Sequence, residues 1–194
     1  MALSVTEASR PVHKVSMMFD VKVPMRDGVE LSTDIYLPEI DSPLPTILIR
    51  TPYDNNNEAV VQDCMYFATR GYAVAAQDVR GRWDSPGEWY PFRFEAEDGY
   101  DTQEWLGRQD WCDGNVGTAG GSYVAMVQWQ SAPLRSKYLK AMVPRVGYSN
   151  FYHNWAYTGG AFQLAFNYRW VAIQMHTRTN QTHYLWFPEE NNMS

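Results

Sequence analysis

Residues 116–125 read Val-Gly-Thr-Ala-Gly-Gly-Ser-Tyr-Val-Ala, and no other stretch limits the fold as tightly. The small and apolar residues ahead of Ser122 suit a buried strand. Tyr123 to Ala132 contains neither glycine nor proline and suits a helix. A serine between the two stands on a sharp turn with its hydroxyl exposed, the arrangement of a nucleophile elbow. The helix start behind it offers backbone N–H groups and the positive end of a dipole, both favourable to a developing oxyanion. The strict Gly-x-Ser-x-Gly spacing is not met, because Val124 holds its last position. An ordinary role competes with this one, since serine is also a favoured helix N-cap.

The segments around the elbow alternate in period. Val15 to Pro24 reads as a strand, Met25-Arg26-Asp27-Gly28 as a turn, and Val29, Leu31, Thr33, Ile35 and Leu37 alternate as a half-buried antiparallel strand. Thr46 to Arg50 and Tyr72 to Val79 are compact apolar runs of the kind buried on both faces. Between them Glu58 to Arg70 suits a helix, stopped by Gly71. Glu95 to Arg108 suits another helix, and Tyr138 to Val146 a further strand that ends near Pro144. A hairpin followed by alternating strands and helices predicts an α/β sheet with an antiparallel edge and its chemistry at the carboxyl ends of the strands. Phe162 to Met175 is apolar almost all round, with Phe162, Phe166, Trp170 and Ile173 on one face and Leu164, Tyr168, Val171 and Met175 on another. A helix of that kind wants partners on both sides.

The 194 residues suffice for one domain with a sizeable core. A net charge of -6 and the lack of a basic tract argue against nucleic acid, and no apolar run reaches the length of a membrane span. The acid-containing N-terminus does not read as a secretory signal, so a cytoplasmic protein is expected. In that setting Cys64 and Cys112 read as reduced, partly buried thiols, and the sequons at Asn180 and Asn192 as chance matches. No His, Cys, Asp or Glu group has metal-ligand spacing, and Gly114, Gly117 and Gly120 do not form a dinucleotide fingerprint. No metal or cofactor is therefore expected.

Further segments, taken in order, carry a family resemblance. Arg50-Thr51-Pro52-Tyr53-Asp54 follows one buried strand, and Gln77-Asp78-Val79-Arg80-Gly81-Arg82 with Ser85-Pro86-Gly87-Glu88 follows the next. Asp98-Gly99-Tyr100-Asp101-Thr102 leads to Trp105-Leu106 and then to Gln109-Asp110-Trp111-Cys112-Asp113-Gly114-Asn115-Val116-Gly117. Gly120-Gly121-Ser122-Tyr123 leads to Gln128-Trp129-Gln130-Ser131-Ala132. In that order and spacing the chain resembles the N-terminal part of the CocE/NonD hydrolases, the Xaa-Pro dipeptidyl-peptidase-like branch of the α/β-hydrolase fold. The resemblance implies that Ser122 is the acylating nucleophile. It also implies that the backbone N–H of Tyr123 and the hydroxyl of Tyr53 are the oxyanion donors. The substrate it implies is a small ester, amide or short peptide.

Two departures from the family pattern stand out. The motif's second glycine is Ala125, small enough to keep the elbow with slightly tighter packing. The family's triad aspartate and histidine lie after a helical cap, and residues 1–194 are expected to end inside the opening of that cap. This implies a leader over 1–14, the N-terminal part of the hydrolase core over 15–148, and the start of the cap over 149–194. The triad acid and base, and a C-terminal jelly-roll domain, are then expected downstream.

Other polar residues have quieter roles. Asp78 and Arg80 are expected to be structural, supplying an ion pair and a turn, and Asp98 and Asp101 to be solvated or capping acids at a helix start. His13, His153, His176 and His183 are the only histidines, and none is expected to reach Ser122. Trp155, Tyr157, Phe162 and Phe166 suit either an acyl-group pocket or the core of a cap. Two functions stay open on these residues: a serine hydrolase working through an acyl-enzyme, and a catalytically incomplete α/β fragment.

Overall fold

A computed structural model describes residues 9–148 and 150–175. β1 (Val15–Pro24) and β2 (Glu30–Pro38) form the antiparallel hairpin, turning through Gly28 at φ +86°. β2 pairs antiparallel with β4 (Ala73–Asp78), and β4 pairs in parallel with β3 (Leu44–Thr51). Beyond β3 lie β5 (Cys112–Gly121) and the edge strand β6 (Leu139–Arg145), both parallel to it, giving the order β1-β2-β4-β3-β5-β6. This is the α/β-hydrolase sheet with its antiparallel edge. The parallel strands β3, β4 and β5 finish at Thr51, Asp78 and Gly121, with Thr51 paired to Asp78. Their following loops therefore open at one end of the sheet, and those loops carry Tyr53, Arg82 and Ser122.

Strand alternation divides the core into two layers. Val74 and Ala76 pack with Ile49 and Tyr36 against Cys64 and Ala68 of α1 (Glu58–Ala68). Ala75 between them packs the other way, with Leu48, Ile35 and Leu106 of α2 (Glu95–Leu106). α3 (Tyr123–Ser131) packs beside α2. Asn57 caps α1 by accepting the Val60 N–H at 3.1 Å. The far end of α1 closes on Gly71, at φ +94°, whose N–H meets the Ala68 carbonyl at 3.1 Å while that of Tyr72 meets Phe67 at 3.4 Å. Cys64 and Cys112 are free and both buried, more deeply than expected, and burial pushes the Cys64 thiol up to about 12, where it is inert.

β6 ends at Arg145, next to Pro144 as expected, and an edge strand tolerates the proline because it needs no donor on its open side. Two expectations about the elements change. α2 stops at Leu106, where the N–H groups of Arg108 and Gln109 turn back onto Trp105 and Leu106 at 3.2 and 3.1 Å, and Gly107 passes flush against Tyr138, a Cβ there lying 2.1 Å from the ring. Phe162 is not helical. It ends a short hairpin of β7 (Tyr157–Thr158) and β8 (Ala161–Phe162), whose turn uses Gly159 and Gly160 at positive φ. The helix begins afterwards as α4 (Leu164–Arg169) and widens into a π-helical turn at Trp170–Met175. Asn167, Trp170 and Met175 of this helix are buried, while Leu164, Phe166, Tyr168 and Val171 are exposed, Phe166 keeping an edge-on contact to Trp155.

Among the described residues no helix covers the α1 side of β5 and β6. A cavity of about 750 Å³ opens there among Ile47, Phe67, Gly117, Ala119, Ala141 and Val143. Parallel strands are ordinarily covered on both faces, so this is the least finished part of the sheet. Among the described residues no helix is long and apolar enough to cross a membrane.

Candidate active site

Ser122 links β5 to α3 with φ +58° and ψ -123°, a backbone region that costs a non-glycine residue about 1–3 kcal/mol. Its N–H bonds the Arg145 carbonyl of β6 at 3.0 Å, and its own carbonyl accepts the N–H groups of Ala125 and Met126 at 3.0 and 3.1 Å. An N-cap serine would have extended backbone and would fold its hydroxyl onto the helix; Ser122 does neither, and makes no capping bond. The strained turn instead aims the hydroxyl away from the helix. Gly120, at φ +142°, is what permits it, since a Cβ there would come 2.1 Å from a methyl of Val124.

The hydroxyl finds the phenol of Tyr53. Tyr53 stands on the bend after β3, the strand next to β5, so parallel pairing alone brings the two residues to one end of the sheet. Burial pushes the phenol up, against hydrogen bonds from the Trp170 indole and the Ser122 hydroxyl. The Trp170 Nε1 lies 3.3 Å from the phenol oxygen. Tyr53 meets the Tyr123 ring edge-on at 6.4 Å, and Trp155 meets Trp170 edge-on at 5.3 Å. The result is an aromatic wall beside the serine. Trp155 and Phe166 belong to it, in edge-on contact at 5.8 Å, whereas Tyr157 and Phe162 pack on each other in the hairpin.

Tyr123 contributes its backbone and its side chain differently. As the first residue of α3, its N–H has no acceptor within the helix, and it follows the serine directly. Its ring is buried and bolts the elbow to α2. The phenol donates to Glu95 Oε1 at 2.7 Å, accepts from the Phe92 N–H at 3.1 Å, and the ring stacks on Phe92 at 4.2 Å. Burial pushes the Glu95 carboxyl up, opposed by Arg50, which pairs with it at 2.9 Å. Arg50 Nε in turn donates to Gln77 Oε1 at 2.8 Å, and Gln77 Nε2 to Thr33 at 3.0 Å. This buried network spans β2, β4, β3 and α2 beneath the elbow. The sequence offered no signal for Glu95 or Trp170, whose partners come from distant segments.

The quieter residues partly depart from expectation. Asp98 is not solvated: it is buried and holds Arg80 through bonds of 3.0 and 2.7 Å, while Asp27 holds the other side of the same guanidinium. Acids in a first helical turn are usually surface groups, and only the fold reveals the cation that neutralises this one. Asp101 pairs with Arg26 at 2.8 Å. Arg80 thus makes the expected ion pair, but Asp78 is not its partner. Asp78 accepts the backbone N–H groups of Asn55 and Asp84 at 2.8 and 3.3 Å. The His13 ring lies by Gly71, and His153 is edge-on to Tyr152. Neither is a hydrogen-bond partner of Ser122, and His176 and His183 lie outside the described residues. No three His, Cys, Asp or Glu side chains among the described residues could hold a metal ion.

Ala125 is accommodated by a second glycine. A Cβ on Gly147, just past β6, would fall 2.5 Å from the Ala125 Cβ. Gly147→Ala is therefore expected to cost about 1–3 kcal/mol by overpacking, and the loss to shrink when Ala125→Gly is added. Urea unfolding of the single and double variants measures this; equal losses in the two would show that Gly147 does not make room for Ala125.

The sequence matches the family model described as X-Pro dipeptidyl-peptidase (S15 family) over residues 27–185. Cocaine esterase from Rhodococcus sp. (strain MB1 Bresler) is 39% identical over 163 residues, which are 81% of this chain and 28% of that protein. A CocE/NonD family hydrolase from Staphylococcus aureus superposes with a TM-score of 0.78 at 30% identity, covering 87% of this chain and 34% of its own. An α-amino acid ester hydrolase does so with a TM-score of 0.70 at 30% identity, covering 89% and 32%. The chain thus spans about a third or less of the length of these relatives. With the S15 match over most of its residues, the chain belongs to the X-Pro dipeptidyl-peptidase (S15) family, and it is similar in sequence and fold to CocE/NonD hydrolases.

Proposed function

We propose that the protein is a serine hydrolase that cleaves a small ester or amide through an acyl-enzyme on Ser122. One observation carries the reading: the Ser122 backbone is held at positive φ without a capping bond, at the end of the sheet where the neighbouring parallel strand β3 delivers Tyr53. Ser122 Oγ attacks the substrate carbonyl carbon, and its proton passes to a base. The carbonyl oxygen becomes an oxyanion between the Tyr53 hydroxyl and the Tyr123 N–H. Because the phenol oxygen accepts from the Trp170 indole, which can only donate, its own proton is free to be donated. Collapse of the intermediate expels the alcohol or amine and leaves the acyl-serine for water to hydrolyse.

The base and its orienting acid are supplied by chain outside the described residues. In this reading 15–148 form the N-terminal part of the hydrolase core and 149–194 open a cap, with Trp155, Phe166 and Trp170 facing an apolar acyl group. The names of the relatives, an esterase and an amino acid ester hydrolase, agree with a small ester as substrate.

A fluorophosphonate probe tests the assignment of the nucleophile. It is added to a polypeptide in which residues 1–194 are followed by the downstream region of a CocE/NonD hydrolase, and the adduct is located by peptide mass spectrometry. The label is expected on the peptide that holds Ser122 and is lost in Ser122→Ala. A label on another residue, or none on an intact folded protein, overturns the reading.

A further inference from the structure

Two charged side chains that the reaction does not use are fully buried at the same end of the sheet. Asp78 closes β4, and among the described residues Arg82 is the largest completely buried side chain. Burying a carboxylate and a guanidinium is costly unless their hydrogen bonds are met within the protein, so their partners are informative. Both grip backbone of the loop that carries Tyr53. Arg82 Nε donates to the Pro52 carbonyl at 2.9 Å, on one side of Tyr53, and the Trp83 indole donates to the same oxygen at 3.1 Å. Asp78 Oδ1 accepts the Asn55 N–H at 2.8 Å, on the other side. Its Oδ2 accepts the Asp84 N–H at 3.3 Å and so ties down the loop that carries Arg82 and Trp83. The Asn55 amide adds a bond to the Ala76 carbonyl at 3.2 Å. Asp54, inside the clamp, is held at φ +85°, a conformation an unrestrained loop would leave.

We propose that Asp78 and Arg82 are positioning residues for Tyr53, two buried charges that grip its loop by the backbone at Pro52 and Asn55 and so hold the phenol on Ser122. The inference rests on the reading of Tyr53 as an oxyanion donor and names what keeps that donor in place. A preorganised donor must be fixed before the oxyanion forms, and backbone anchors on both sides of a residue do this without touching the substrate. The charged groups facing Asp78 are Asp54, Asp84 and Arg82, and those facing Arg82 are Asp78, Tyr53 and Tyr123. Burial pushes the Asp78 carboxyl up to about 7 and the Arg82 guanidinium down to about 10. As pH falls through about 7, Asp78 takes up a proton, and both backbone N–H bonds lose the negative charge that strengthens them. Asparagine at this position imitates that state at every pH.

Fluorine NMR of residues 1–194 with 3-fluorotyrosine placed at Tyr53 tests the proposal, with the same probe at Tyr66 on α1 as the control. The Tyr53 resonance is expected to move with a midpoint near 7, below the range in which the buried phenol itself ionises, and the Tyr66 resonance to show no step with that midpoint. In Asp78→Asn the Tyr53 resonance is expected to sit at the wild-type acid position and not to titrate. Arg82→Met is expected to broaden it. A Tyr53 signal flat across neutral pH in the wild-type chain, or unmoved in Asp78→Asn, overturns the proposal. The wild-type titration decides even if a variant fails to fold. Tyr53→Phe kinetics test the oxyanion reading separately: a full rate in that variant sinks the donor role and leaves the fluorine result standing as a statement about position alone.

Discussion

Ser122→Ala is expected to lower kcat for p-nitrophenyl esters by about 10⁶-fold when residues 1–194 are joined to the downstream region of a CocE/NonD hydrolase. The loss is that large because the alcohol oxygen is the atom that bonds to the acyl group, and no neighbour replaces it. Removal of the nucleophile leaves the oxyanion donors and substrate binding, which together retain about 10³-fold catalysis over water. The backbone cost of the turn also falls little on the change, since alanine is as strained at φ +58° as serine, so the variant is expected to stay folded. The isolated chain is expected to show no Ser122-dependent multiple turnover, because a serine hydroxyl without a base stays protonated and is a poor nucleophile. Robust turnover by the isolated chain that disappears in Ser122→Ala would place the base inside these 194 residues and overturn the proposed division of the site.

Tyr53→Phe in the same extended polypeptide is expected to lower kcat by about 10²- to 10³-fold with little change in KM. The substitution keeps the ring, and with it the edge-on contact to Tyr123, so the wall of the site is preserved. What goes is one hydroxyl, whose bond to the carbonyl oxygen strengthens as charge develops there. An interaction made mainly in the transition state appears in kcat, while one made equally with the bound ester appears in KM. Because burial pushes the phenol upward, it stays a protonated donor through neutral and mildly alkaline pH, and the size of the effect is expected to hold across that range. A loss confined to KM, or one of less than about fivefold in kcat, would make Tyr53 a packing residue instead.

Much of the fold was legible because its signals are local. The alternation in β2, the compact apolar runs of β3 and β4, and the glycine that closes α1 each depend on residues within one element. The α4 region shows the limit of that reading. Its residues are apolar all round, but two glycines in the preceding turn redirect Phe162 into a hairpin, and the helix starts only afterwards. Hydrophobicity alone does not tell where a helix begins when both of its faces look alike. Asp98 shows a second limit. An acid in a first helical turn is read as solvent-facing, and its burial depends on Arg80 arriving from the loop after β4.

The same contrast runs through the site. The elbow is a short-range object: the clash that makes Gly120 necessary comes from Val124, four positions on, so the turn and its exposed serine can be read from ten residues. The donors and their supports are long-range objects. Tyr53 meets Ser122 because β3 and β5 are parallel neighbours, and it meets Trp170 across 117 positions. Asp78 reads in sequence as half of an ion pair at a turn, Arg82 only as a neighbour of that turn, and Glu95 as a residue at a helix start. Their roles exist only once burial has removed water, because a charged group without solvent must find its hydrogen bonds in the protein, and which backbone or side chain it finds is decided by strand order and not by neighbours in the chain.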